Sequence, residues 1–306
     1  MADSSAQAEP IDVVYTWVDG AAPGYQELLQ SYSKVPRDLN PERYRDAFTL
    51  LRYSLRSLER FAPWFRNVYI FTCRPQVPGW LKRDHPRLRI VHHDEVMPGD
   101  GTLPAFNSNV IETFLPLLPG ISRRILYLND DYLFGRPVSW ADFFTPDGRL
   151  RVFGTLVGEH FRARIYEHQV FSFGLVEHGP ILIDCQLWAQ AMATAATELA
   201  AQRLRRFRLP EDVRPERLYR WYLLTHCRSQ AVAEPCWRYL AKSSFHKIRA
   251  GVAAQRRGLT RIRRRRPAFF CLNDDLRDRP DPEVVACVAA FLADYYPEAS
   301  SFESTP

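Results

Sequence analysis

The 306-residue sequence has no Walker loop, GxGxxG, GxSxG or HExxH. P-loop hydrolysis, dinucleotide binding, the α/β-hydrolase elbow and zincin chemistry therefore lack their motifs. It is poor in lysine, with Lys34, Lys82, Lys242 and Lys247 the complete set, and 41 basic side chains against 35 acidic ones leave a formal charge of only +6. That excess suits an enzyme for anionic substrates better than a nucleic-acid-coating polycation. The arginine bias itself reads either as phosphate recognition or as a GC-rich coding genome. Long apolar runs are missing too: the longest, Val284 to Ala293, has ten residues, against about 20 for a membrane span. Met1 to Pro10 carries Asp3 and Glu9 and no apolar core, so it reads as a disordered tail and not as a signal or transit peptide. A soluble or peripheral protein is expected. None of the 6 cysteines forms a CxxC pair, which points to reduced thiols and away from a zinc site or disulfide framework. No period of solenoid or propeller length repeats.

An alternation of apolar runs and helical patterns is present in the first half: Ile11 to Tyr15, Asp46 to Phe61, Asn67 to Phe71, Leu88 to His92, Ser108 to Phe114 and Arg124 to Leu128. Phe48, Leu51, Leu55 and Leu58 recur at helical spacing, giving one buried stripe that Pro63 ends. The strands are apolar on successive residues, as in a parallel sheet covered on both faces. These patterns predict an α/β fold, Rossmann-like, with a mostly parallel sheet. After about Gly158 the pattern turns more helical: Asp184 can cap a run to about Arg206, Arg214 to Thr225 forms another, and Asp281-Pro282-Glu283 opens a final helix that Pro297 closes. The expected layout is a tail at 1–10, one catalytic domain at 11–300 with an α/β half at 11–157 and a helix-rich half at 158–300, and a tail at 301–306.

Asp19 and the run Asn129-Asp130-Asp131 each follow a predicted strand. In open α/β sheets the carboxyl ends of strands face the ligand crevice, so both project into one cleft. Adjacent carboxylates repel unless a cation offsets them, and Mg²⁺ uses one or two carboxylates plus substrate phosphates. Asp130 and Asp131 thus read as a diphosphate-metal site or, alternatively, as caps of the following turn. A second Asn-Asp-Asp at Asn273, Asp274 and Asp275 could complete that site or be a solvated loop. His92-His93 ends a predicted strand, and His178 lies in a Glu-His-Gly-Pro turn. Arg261 to Arg266 is a cationic run that could meet a polyanion or anionic lipid, or be simply solvated.

Four blocks carry a more specific resemblance. Asp12 to Gly20 (DVVYTWVDG), Leu51 to Leu58 (LRYSLRSL), Leu103 to Asn109 (LPAFNSN) and Tyr127 to Asp131 (YLNDD) resemble, in order and spacing, the Stealth family of sugar-phosphate transferases. That family includes bacterial capsular polysaccharide phosphotransferases and the catalytic part of the animal N-acetylglucosamine phosphotransferase of lysosomal enzymes. Weaker similarity runs through Glu177 to Pro180, Arg206 to Asp212 and Cys271 to Asp274, with departures at Leu50, Thr72-Cys73-Arg74 and Leu209.

The resemblance implies a nucleotide-sugar-transferase type of fold and transfer of a sugar 1-phosphate from a nucleotide sugar, expected to be a UDP-sugar, to an acceptor sugar hydroxyl. The products are a phosphodiester and a nucleoside monophosphate, in capsular or exopolysaccharide synthesis. It also implies a Mg²⁺ or Mn²⁺ ion on Asp130, Asp131, Asn273 and Asp274, with Asp131 also essential to catalysis. His178 becomes the candidate general base and Arg208 the clamp on the transferring phosphate. Trp17, Asp19, Gly20, Asn107 and Asn109 shape the donor pocket, with Trp17 packing beneath it or stacking on a base. Arg52 and Arg56, one helical turn apart, face the donor phosphates or make helix-surface ion pairs. The expected partners are a nucleotide-sugar donor and a glycan acceptor, with peripheral membrane or capsule-assembly contact and no nucleic acid. The expected location is the cytoplasm, at the inner face of the membrane. Two rivals remain: a metal-dependent glycosyltransferase releasing nucleoside diphosphate, and a non-catalytic polyanion-binding module.

Overall fold

The computed structural model describes residues 9–99, 102–155, 163–166, 169–172, 179–277 and 280–304. Strand β1 (Ile11–Trp17) leads through helix α1 (Tyr25–Tyr32) to helix α2 (Leu50–Phe61). Strands β2 (Val68–Thr72) and β3 (Leu88–His92), the short helix α3 (Ser108–Glu112) and strand β4 (Arg124–Asn129) complete the first half. Then come β5 (Tyr132–Phe134), β6 (Leu150–Thr155), β7 (Ala163–Tyr166), β8 (Gln169–Ser172) and β9 (Ile181–Asp184), followed by α4 (Cys185–Ala193), α5 (Ala196–Arg203) and α6 (Pro215–His226). The chain finishes with β10 (Ala231–Pro235), α7 (Cys236–Lys242), β11 (Ser243–Ile248), α8 (Val252–Arg265), β12 (Phe269–Asp274) and α9 (Pro282–Tyr295).

The central sheet has the order β3-β2-β1-β4-β9. Its first four strands are parallel, and β9 runs antiparallel on β4. The architecture is therefore α/β with a mostly parallel sheet. Strand β2 is buried at every residue, and β1 and β4 nearly so, which requires cover on both faces and explains their unbroken apolar sequences. The chain leaves β1 toward β2 and β3 on one side, whereas β4 lies on the other. That reversal opens a crevice at the carboxyl ends of β1 and β4.

A second sheet delivers the other half of the crevice. Strand β12 lies between β11, parallel to it, and β5, antiparallel to it. The register places Cys271 opposite Tyr132, and the Leu272 amide donates to the Asp131 carbonyl at 3.0 Å. Because β5 starts right after Asp130-Asp131, this antiparallel pairing carries Asn273-Asp274 to the same place.

Several boundaries differ from the sequence expectation. Helix α2 starts at Leu50 and not at Asp46, since Asp46 turns its side chain back to accept the Leu50 amide at 3.1 Å. Its Leu51, Leu55 and Leu58 are fully buried, and Phe48 packs with them from the preceding turn. The helix expected from Asp184 to Arg206 is divided at Thr194-Ala195 into α4 and α5. Asp184 does cap the first part, accepting from the Gln186 and Leu187 amides, just as Asp281 caps α9 through the Glu283 amide. The second half, expected to be helix-rich, also holds β7 to β12; these strands are too short for a periodic pattern to separate them from helix. The 301–306 tail is corrected as far as Ser304: Phe302 is fully buried, and Glu303 bridges to Leu81. The main apolar core runs from Ile11 to Phe302, and Tyr25, Leu29, Tyr44 and Phe106 form a smaller cluster. Among the described residues no helix is long and apolar enough to cross a membrane.

Candidate active site

A cavity of about 600 Å³ occupies the crevice. Seven of the expected site residues line it: Trp17, Asn109, Asp130, Asp131, Arg208, Asn273 and Asp274. Sequence reasoning missed further wall residues, namely Arg43, Arg45, Glu112, Arg214, Glu216 and Arg217. The cavity thus has an acidic floor at the strand ends and arginines around it, the distribution expected for a site that takes a cation together with a polyanion.

On the floor, burial and the carboxylates of Asp131 and Asp46 hold the Asp130 carboxyl well above the ordinary range. Asp46 is itself pushed up to about 6 by burial, against hydrogen bonds from Trp17 and the Leu50 amide that draw it down. Trp17 donates from Nε1 to Asp46 Oδ2 at 3.2 Å and is only 7% exposed, so it packs under the cavity. The Cys271 thiol donates to Asp131 Oδ2 at 3.1 Å, which burial and the Asp131 charge make a firmly protonated thiol.

Asp274 differs from its expectation as a metal ligand. Arg45 grips its Oδ2 through Nε at 2.8 Å and through a terminal nitrogen at 2.7 Å, while Oδ1 accepts the Leu276 amide at 3.0 Å. Its charge is already matched, leaving Asp130, Asp131 and the Asn273 amide as the donor set in place for a cation. Among the described residues no three His, Cys, Asp or Glu side chains are arranged to hold an ion alone. Two crowded carboxylates nevertheless fit Mg²⁺, whose remaining positions are commonly filled by phosphate and water oxygens.

Glu112 stands on the opposite wall, at the end of α3. Burial, then the Glu216 carboxylate, push its carboxyl up to about 8, while Arg208 and hydrogen bonds from Tyr127 and Ser108 act in the other direction. The Tyr127 hydroxyl lies 3.4 Å from Glu112 Oε1, 2.9 Å from Asn129 Oδ1 and 3.0 Å from Thr16 Oγ1. A polar network thus crosses the β1/β4 switch point beneath the acidic pair. The available sequence signal was an isolated carboxylate inside the apolar run Val110 to Phe114, a placement unfavourable without partners.

Arg208 reaches the cavity from the loop between α5 and α6. Phe207 stacks on Phe106 with centroids 5.0 Å apart, and the Phe106 amide donates to the Arg206 carbonyl at 2.9 Å. Asn107, expected in the donor pocket, is fully buried and serves this loop instead: its amide nitrogen donates to Asp212 Oδ2 at 2.8 Å and to the Phe207 carbonyl at 3.3 Å. Its Oδ1 accepts from the Asn109 amide at 3.0 Å, capping α3. Asn107 therefore positions both Glu112 and Arg208 without reaching the cavity.

Four other expectations are corrected. Asp19 accepts the Ala21 amide at 2.9 Å, and its backbone is clasped by Gln76 at 2.7 and 2.9 Å. Gly20 donates to the Tyr44 carbonyl, and a Cβ there would lie 2.8 Å from the Tyr44 Cβ. Both residues fix the loop after β1 behind the cavity wall. Arg52 and Arg56 face away from the cavity: both pair with Glu303, Arg56 through Nε at 2.7 Å, and Arg56 also donates to the Tyr296 carbonyl at 2.8 Å. Their charge is used to fasten the C-terminal segment onto α2. His178 lies outside the described residues.

Residues 9–34, 43–152 and 260–306 match conserved regions 1, 2 and 4 of Stealth proteins. An exopolysaccharide phosphotransferase of Streptomyces coelicolor is 34% identical over 322 residues, covering 96% of this chain and 52% of that protein. Exopolysaccharide phosphotransferase CpsY of Mycobacterium tuberculosis is 29% identical over 318 residues, covering 96% and 58%. The chain spans about half the length of the curated relatives it matches. Among solved structures, the galactosyltransferase LgtC in complex with donor and acceptor sugar analogs aligns with a TM-score of 0.45 at 12% identity, over 95% of this chain and 98% of that one. With three of its conserved regions in sequence order along the chain, this protein belongs to the Stealth family.

Proposed function

We propose that this chain acts in exopolysaccharide synthesis as a phosphotransferase, moving a sugar 1-phosphate from a nucleotide sugar to a hydroxyl of an acceptor sugar. The observation carrying this reading is a shared cavity in which Asp130 and Asp131 meet Arg208, Arg214 and Arg217. The family membership and the exopolysaccharide phosphotransferases among its relatives support it.

In the reaction the acceptor oxygen bonds to the phosphorus that carries the sugar. The bond from that phosphorus to the bridging oxygen breaks, and the electron pair leaves on the nucleoside monophosphate. The protein must hold the nucleophile in line and match charge on the transferring group. The Arg208 fork takes two phosphate oxygens in a fixed plane, and Asn107 and Asp212 keep its loop in register. His178 is the proposed base for the acceptor proton, a role open to neutral imidazole at ordinary pH. Glu112 keeps a proton on the cavity wall near neutrality, so it presents an O–H to bound phosphate and adds no repulsive charge. Mg²⁺ or Mn²⁺ held by Asp130, Asp131 and Asn273 would supply Lewis-acid charge neutralisation at the diphosphate.

The test incubates the protein with UDP-, GDP- and CDP-sugars, Mg²⁺ or Mn²⁺ and acceptor oligosaccharides, and identifies the released nucleotide. Monophosphate release that needs acceptor, metal and Asp131, and is lost in Asp131→Asn, supports the proposal. Diphosphate release reassigns the cavity to glycosyl transfer.

A further inference from the structure

Helix α8 has a basic surface that the cavity does not use. Its sequence, Val252 to Arg265, holds no acidic residue, and its buried face is Gln255, Leu259 and Ile262. That face is set hard against β11: Gln255 Oε1 lies 2.6 Å from His246 Nε2, and a Cβ on Gly258 would meet the same imidazole. Arg257, Arg261 and Arg264 follow at i, i+4 and i+7 on the opposite side and are exposed. No carboxylate among the described residues pairs with these three, whereas Arg263 at the flank pairs with Asp294.

The neighbouring helix carries an apolar counterpart. Trp237 and Leu240, at i and i+3 on α7, are 60% and 58% exposed. Arg265 donates to the Leu240 carbonyl and so ties the basic end of α8 to α7, and Arg238 sits over the Trp237 ring at 5.6 Å. This surface lies apart from the chemistry. Strand β12 begins at Phe269, beyond Arg266, and carries Asn273 and Asp274 into the cavity four and five residues further on, about 13–17 Å along an extended strand.

We propose that the Arg257-Arg261-Arg264 stripe, with Trp237 and Leu240, docks this protein on an anionic lipid surface. The guanidinium groups match headgroup phosphates, and the two apolar side chains enter the interface. A soluble polyanion would need the arginines but would have no use for an exposed tryptophan and leucine on the helix that Arg265 ties to α8. The inference is independent of the proposed reaction, because its test needs no turnover.

Full-length protein is sedimented with phosphatidylcholine vesicles with and without phosphatidylglycerol, over a range of salt. Binding is expected only to the anionic vesicles and is expected to weaken with salt. At about tenfold per 1.4 kcal/mol and about 1 kcal/mol per arginine, R257Q/R261Q/R264Q lowers partition about a hundredfold. W237A/L240A lowers it about tenfold and keeps the salt dependence. All of these side chains are exposed, and unchanged thermal melting confirms that the variants fold. Equal binding to neutral and anionic vesicles overturns the proposal, as does full binding by the arginine variant. Unchanged partition of W237A/L240A also overturns it, assigning the face to soluble polyanions.

Discussion

Replacing Glu112 by glutamine should stabilise the protein at alkaline pH. In the unfolded chain this carboxyl titrates near 4.5, and in the fold it is pushed up to about 8. The raised value means that the native state binds a proton across that interval which the unfolded state has released, so stability falls as pH rises from 4.5 toward 8. At 1.36 kcal/mol per pH unit the penalty is about 3 kcal/mol at neutrality and approaches about 5 kcal/mol above pH 8. Glutamine keeps the shape and an acceptor for the Tyr127 hydroxyl but never ionises, so it escapes the penalty. It also removes a negative charge facing Glu216, Arg208, Tyr127 and Ser108, the groups that surround this carboxyl. Urea denaturation of both proteins at pH 5 and pH 8.5 measures the effect. The curves should agree within about 1 kcal/mol at the acid end and separate by about 4–5 kcal/mol at the alkaline end, the variant being more stable. Stability differences independent of pH would refute an uncharged Glu112 and with it the O–H assigned to the cavity wall.

Arg208→Lys should remain strongly defective in turnover, because a point charge replaces a bidentate fork; near-normal kinetics would remove the clamp role. Asn107→Ala should lower kcat by about ten- to a hundredfold with little change in donor specificity, since it displaces the Arg208 loop without touching substrate. Gly20→Ala forces a Cβ against Tyr44 and should cost about 1–3 kcal/mol in thermal or urea unfolding. Glu303→Ala should cost about 2–3 kcal/mol by leaving Arg52 and Arg56 without their carboxylate, yet leave the donor KM unchanged. The Glu303 carboxyl is held down at about 2, burial being outweighed by Arg56, the Ser300 amide and Arg52. Its contribution is therefore present above pH 4.5 and lost as pH falls toward 2, the reverse of Glu112.

What the sequence revealed follows from the range of each interaction. Central strands announce themselves because burial on both faces demands successive apolar residues. Helix starts at Asp184 and Asp281 are legible because a cap is a contact between neighbours. Asp130-Asp131 could be placed because the carboxyl end of a parallel strand is a predictable location, and the repeated Asn-Asp-Asp pointed to Asn273. Glu112 and Arg45 gave no such warning: one is hidden in an apolar run, and the other matters through Asp274, 229 positions away. The arginines on α2 show the opposite failure. Their spacing and proximity to a family motif suggested phosphates, but their partner is a glutamate in a segment with little pattern of its own.

The ion pair between Arg45 and Asp274 joins cavity walls drawn from opposite ends of the chain, and Arg208, Arg214 and Arg217 come from a third stretch between them. Such a site exists only once synthesis has passed residue 274 and the second sheet has docked. A chain cut before residue 208 has Asp130 and Asp131 but lacks the enclosing Arg208, Arg214 and Arg217 and the Asn273 amide. Completion of the cavity is thereby tied to completion of the fold, and a chain without the second sheet has the paired aspartates but not their surroundings.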